Sequence, residues 1–111
     1  MTGRTQLPNR RQSEILSFEH GGQRFHGSVS LFDPYDHERP AEVFLDAAKP
    51  GSAMNAMARD AAVTASLALQ FGVPLDTLRS ALTRDDDGEP SGPLGRLLDL
   101  IAVEQLQAGR R

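Results

Sequence analysis

The stretch from Ala48 to Leu75, AKPGSAMNAMARDAAVTASLALQFGVPL, most constrains what this chain can fold into. Seven alanines fall between Ala53 and Ala68, interleaved with Leu and Met, all strong helix formers. Ser52, preceded by Gly51, is a good N-cap. Phe71-Gly72-Val73-Pro74 reads as a stop followed by an immediate restart. Gly72 suits the left-handed position past a helix end, and Pro74 suits the first turn of the next helix. The spacing predicts one long helix with Met54, Met57, Ala58, Ala61, Ala62, Ala65 and Leu69 along its apolar stripe and Arg59 and Asp60 on its polar side. Side chains this small let a helix lie close against a sheet or a second helix.

Upstream of Ala48 the periodicity is that of strands. Leu16 and Phe18 alternate with Ser17 and Glu19, and Phe25, Gly27, Val29 and Leu31 alternate with Arg24, His26, Ser28 and Ser30. Gly21-Gly22 between the two runs is a two-residue hairpin signal. A loop at these glycines pairs His20 with Gln23, Glu19 with Arg24, Phe18 with Phe25, Ser17 with His26 and Leu16 with Gly27. That register sets an aromatic pair on the core face and an ion pair outside, and a one-residue slip destroys both. Residues 33–40 form a polar loop with two prolines. Ala41–Leu45 is a third strand whose continuous apolar run, Val43-Phe44-Leu45, predicts cover on both faces.

Downstream, Leu75, Leu78 and Leu82 give a second helix an apolar stripe, and residues 83–92 form a loop holding Asp85, Asp86, Asp87 and Glu89. Pro93 starts a third helix with Leu94, Leu97, Leu98 and Ile101 on one face. The fold class expected is therefore α+β: a small antiparallel sheet of about three strands, then a long helix and two shorter helices packed on one face. The division expected is a basic, flexible arm over 1–12, a single domain over 13–104 and a frayed polar tail over 105–111.

Several function classes are excluded on composition. At 111 residues with 39% apolar content the chain supports one core without staples. No apolar run is long enough for a membrane span and no apolar segment follows the N-terminal charges, so a cytoplasmic location is expected. Cysteine is absent, which removes disulfides, thiolate metal sites and cysteine nucleophiles together. A net charge of −3, one Tyr and no Trp leave little for nucleic-acid binding. The three histidines, His20, His26 and His37, have no ligand spacing, so no metal site is expected.

Two sets of residues remain as candidate contacts. Lys49, Gly51 and Ser52 lead from a strand into a helix N-terminus, where free N–H groups and the helix dipole attract a phosphate or another anion; Ser52 is equally explained as an N-cap. Arg4, Arg10 and Arg11 lie in a segment without acids, which reads either as solvated surface or as an arm that docks on an acidic partner or a phosphate. No catalytic set of nucleophile and base is visible.

The sequence resembles a known family through Leu7-Pro8-Asn9-Arg10-Arg11-Gln12, Gly21-Gly22, Ala41-Glu42-Val43-Phe44-Leu45, Lys49-Pro50-Gly51-Ser52, Ser66 to Leu75 and Glu89-Pro90-Ser91-Gly92-Pro93. The resemblance is to the TSCPD domain, named for a Thr-Ser-Cys-Pro-Asp motif. The version it resembles most lies near the C-terminus of vitamin B12-dependent (class II) ribonucleotide reductases. It runs from about Arg4 to Ile101 and is most specific over Ser66–Leu75. It implies a role in reducing ribonucleoside diphosphates for deoxyribonucleotide and DNA synthesis. The family's reductases use cobalamin and barrel-domain cysteines, one forming a thiyl radical and a pair supplying electrons. Where the naming motif falls, this chain reads Pro90-Ser91-Gly92-Pro93-Leu94, without its Cys or its Asp, so no catalytic or cobalamin-binding residue carries over. The expectation is a stand-alone accessory or regulatory module, without a cofactor of its own and not active by itself, that partners a reductase catalytic chain. The alternatives are a nucleotide- or anion-binding domain using Lys49–Ser52, and a structural homodimer joined through the hairpin edge or the Ala-rich helix.

Overall fold

Polar–apolar alternation on either side of Gly21-Gly22 folds into a hairpin of β1 (Ser13–His20) and β2 (Gln23–Leu31). Both glycines have positive φ, 60° and 79°, as a tight turn matched to the strand twist requires. The register is the expected one, from His20 opposite Gln23 to Leu16 opposite Gly27. Phe18 and Phe25 stack with ring centroids 5.8 Å apart. Glu19 and Arg24 face each other outside, but among the described residues no ion pair closes between them. The computed structural model of the chain describes residues 3–4, 13–32, 39–49 and 51–109, the side chains of 105–109 excepted. Most of the arm expected over 1–12, with Arg10 and Arg11, therefore lies outside the described residues.

β3 (Pro40–Ala47) pairs antiparallel with β2, giving the order β1-β2-β3. Its apolar run is not covered on both faces, as the sequence predicts. Ala41, Val43, Leu45 and Ala47 are buried on the inner face, whereas Phe44 points outward and is exposed. The reason is the strand's two-residue period: a continuous apolar run does not cancel it when one face of the sheet stays open.

The inner face is covered by α1 (Ala53–Gln70), α2 (Leu75–Ala81) and α3 (Pro93–Gly109). The core unites Phe25, Val29, Val43 and Leu45 of the sheet with Leu69, Leu75, Leu97, Leu98 and Ile101 of the helices. Gly27 is where α3 comes closest. A Cβ there would stand 2.8 Å from Leu97 Cδ1 and 3.2 Å from the Phe44 carbonyl oxygen. α3 is nearly as long as α1, and its backbone reaches Gly109, beyond the stripe that ends at Ile101.

α1 departs from its predicted stripe. Met54 and Met57 are exposed, and the buried arc is Asn55, Ala58, Ala62, Ala65, Ser66, Leu69 and Gln70. The three polar members lie on one side of the helix and reach the open edge of β3. Asn55 Oδ1 accepts from the Ala47 N–H at 3.0 Å. Ser66 Oγ accepts from the Val43 N–H and donates to the Val43 carbonyl, both at 2.9 Å. Gln70 Nε2 donates to the Ala41 carbonyl at 3.0 Å. The match is geometric: helix and strand run antiparallel. From Ser66 to Gln70 the helix rises about 6 Å, and from Val43 to Ala41 the strand spans about 7 Å. Ala58, Ala62 and Ala65 are small enough to let the helix approach to hydrogen-bonding distance. A buried edge strand must satisfy its backbone groups, and here a helix does so with side chains.

Ser66→Ala removes a hydroxyl that serves both polar groups of Val43, and the expected loss is about 1–3 kcal/mol. Thr64→Ala, which removes an exposed hydroxyl bonded only to the Asp60 carbonyl, is expected to change stability by less than about 0.5 kcal/mol. Urea unfolding of the two variants side by side checks the difference.

Candidate functional site

At the N-terminus of α1, Lys49 is exposed, Gly51 has φ +74° and Ser52 is the N-cap. Ser52 Oγ accepts from the Asn55 N–H at 3.0 Å and donates to the Lys49 carbonyl at 3.1 Å. Its hydroxyl is thus used in closing the turn that starts the helix. Lys49, Gly51 and Ser52 are together, as their sequence order demands, and nothing from a distant part of the chain joins them among the described contacts.

Arg4 is at the other end of α1, about 27 Å along the axis from Ser52. Its Nε donates to Gln70 Oε1, so the amide that holds Ala41 through its nitrogen is held by Arg4 through its oxygen. The two candidate sets of the sequence therefore do not converge on one site.

A cluster that sequence reasoning missed joins α2, the loop after it and α3. Asp99 of α3 accepts from Arg79 Nε at 2.9 Å and from Arg84 Nη1 and Nη2 at 3.0 and 2.8 Å. Arg79 also reaches Asp76 at 3.0 Å, and Arg84 Nη1 donates to the Gly88 carbonyl at 2.9 Å. The Arg84 hydrogen bonds, then those of Arg79, hold the Asp99 carboxyl down at about 2, and the same contact raises Arg84 above its ordinary value. The i,i+3 spacing of Asp76 and Arg79 is legible in the sequence; the choice of Asp99 as the partner of Arg79 and Arg84 is a tertiary event. The cluster also disciplines the acidic loop. Arg84 bridges to Pro90, the Asp85 N–H donates to the Glu89 carbonyl at 2.8 Å, and Arg96 pairs with Glu89 at 2.8 Å.

Where α1 ends and α2 begins, the chain leaves a cavity of about 580 Å³. Leu69, Val73, Pro74, Leu75 and Ala102 form its apolar walls, and Phe32, Arg39, Asp76 and Arg79 bring rings and charge to it. The Arg39 guanidinium lies 4.9 Å from the centroid of the Phe32 ring.

Two surfaces stay uncovered. On the outer sheet face Ile15, Ser28 and Phe44 form one cross-strand row, and Arg59 sits over the Phe44 ring at 5.8 Å. On α1, Met57, Val63 and Leu67 occupy one arc of the solvent side, continued by Phe71 at the C-cap, with Met57 at 66% and Val63 at 58% exposure. No helix among the described residues is long and apolar enough to cross a membrane.

Comparison with known proteins points in one direction. Over 94 residues, 85% of the chain, the sequence is 34% identical to a vitamin B12-dependent ribonucleotide reductase of Bradyrhizobium diazoefficiens. Over 80 residues, 72% of the chain, it is 38% identical to the protein of that name in Agrobacterium fabrum. Over 75 residues it is 35% identical to the one in Rhodopirellula baltica. The chain is homologous to one small segment of these reductases. It spans only 7%, 6% and 7% of their respective lengths. No protein-family model matches the chain, and no solved structure matches it significantly.

The charge pairs set the acid response. Asp99 is held below its ordinary 3.8, so its contribution is complete above that pH and is lost as the pH falls towards about 2. The shift corresponds to ~2 kcal/mol at neutral pH. Acid unfolding followed by circular dichroism is expected to show this loss in the parent chain and a smaller one in Asp99→Asn, which starts less stable. Glu104 behaves oppositely. Its contact with Glu14, then burial, raises its carboxyl above the ordinary value, so the shared-proton contact holds at low pH and is lost as the pH rises through the raised value. Glu104→Gln is expected to stabilise the fold at neutral pH by less than about 1 kcal/mol, because Glu14 is exposed and screened.

Proposed function

We propose that this chain is a TSCPD-type accessory module of deoxyribonucleotide synthesis. It works in the cytoplasm, docks on a ribonucleotide reductase catalytic chain and is not catalytic by itself. The observation that carries this reading is the similarity of 34–38% identity over 68–85% of the chain to one small segment of vitamin B12-dependent reductases. In those proteins the segment is covalently joined to the remaining nine-tenths of the molecule, so a surface that faces the rest of the reductase is part of its design. The absence of cysteine supports the division of labour. Chemistry that runs through a thiyl radical and a thiol pair needs cysteines, and these must come from the partner.

The docking face in this reading is the solvent arc of α1. Exposed apolar residues grouped on one helix face are a feature of protein interaction sites. Met57, Val63 and Leu67 project from a helix that is locked on its other side to β3, so the face is rigid before any partner arrives.

The test is calorimetric titration of the purified chain into the Agrobacterium fabrum reductase from which the matching segment has been deleted. Saturable binding is expected, weakened about tenfold or more in the Met57→Glu, Val63→Glu double variant. Both substitutions are at exposed positions and leave the core intact. No binding by the parent chain contradicts the accessory role, and undiminished binding by the double variant contradicts the choice of face.

A further inference from the structure

We propose that the cavity under the α1–α2 turn is a binding site for a small oxyanion carried on a flat apolar body. Its volume of about 580 Å³ falls within the range of small-molecule sites, roughly 300–1,000 Å³. Such sites combine apolar walls with a few convergent polar groups, and this one has that composition. Leu69, Val73 and Leu75 supply the walls, and two guanidinium groups from separate elements, Arg39 before β3 and Arg79 on α2, supply the charge.

The two arginines are prepared in different ways. Arg79 is oriented by Asp99 and Asp76 at 2.9 and 3.0 Å, so its direction is fixed before a ligand binds. The Arg39 guanidinium lies over the Phe32 ring, its Cζ 4.9 Å from the centroid. The five N–H donors of a guanidinium lie in its own plane. Among the described residues no carboxylate pairs with Arg39. A planar guanidinium fork beside apolar walls is an arrangement that can take a carboxylate or a phosphate bidentately. Among the described residues the charged groups lining the cavity are Arg39, Arg79 and Asp76, with Arg79 also paired to Asp99. The half-buried Phe32 ring beside the exposed Arg39 offers an aromatic contact for the body of the ligand.

This site is distinct from Lys49–Ser52, since it lies at the opposite end of α1. It also does not depend on the reductase partner, because the isolated chain contains every residue named.

The test uses the ¹⁵N-labelled full chain titrated in turn with phenyl phosphate, ADP and inorganic phosphate. Phenyl phosphate and ADP are expected to shift the amides of Leu69, Gly72, Val73, Leu75 and Ala102, and inorganic phosphate to bind about tenfold or more weakly because it lacks the flat body. Arg39→Ala is expected to weaken phenyl phosphate about tenfold or more without moving the urea midpoint, since Arg39 is exposed and, among the described residues, paired with no carboxylate; Lys49→Ala is expected to change nothing. Three outcomes overturn the proposal: no shifts at millimolar ligand, shifts confined to residues 49–54, or equal affinity in Arg39→Ala. None of them bears on whether the chain docks on a reductase.

Discussion

The fold depends on how the open edge of β3 is closed. A three-stranded sheet has two edges, and an edge next to a core must have its N–H and C=O groups answered. Asn55, Ser66 and Gln70 answer them at Ala47, Val43 and Ala41. The contact is polar in the middle of an otherwise apolar seam, which gives it direction as well as energy. A helix held only by alanine methyl groups could slide along the sheet; one that must meet three backbone positions in order cannot.

Much of the remaining arrangement follows from that lock. With α1 fixed, its last residues fix the turn at Gly72 and Val73, and the turn places α2. α2 in turn presents Arg79 to Asp99 on α3, closing the helical half around the core. The cavity forms where these pieces meet the start of β3 and cannot be filled by any of them. The solvent side of α1, freed from packing duty, carries Met57, Val63 and Leu67. Structure and proposed function thus use opposite sides of one helix.

The hairpin was legible because its register rests on local facts: two glycines and a pair of phenylalanines whose positions leave one solution. The helix ends were legible for the same reason, through Ser52 and Gly72. The buried side of α1 was not. Hydrophobic periodicity selects Met54 and Met57, whereas the structure selects Asn55, Ser66 and Gln70, because the requirement they meet belongs to β3 and not to the helix. Phe44 misled in the same way: its apolar neighbours hide the period of two that an uncovered sheet face enforces. The Asp99 cluster joins residues 15 and 20 positions apart, which no spacing rule reaches. Of the candidate contacts, Lys49, Gly51 and Ser52 stay together as a cap, Arg4 is drawn to Gln70, and the cavity at Arg39 and Arg79 had no sequence signal at all, since it is assembled from β3, α1, α2 and α3 together.

The lock between α1 and β3 is open to direct measurement by native-state hydrogen exchange. If the side chains of α1 close the β3 edge, the amides of Val43 and Ala47 exchange only through global unfolding, and their opening free energies equal the unfolding free energy from urea. Exchange of these two amides at the rate of an unprotected edge strand, while the amides between β2 and β3 remain protected, would contradict it.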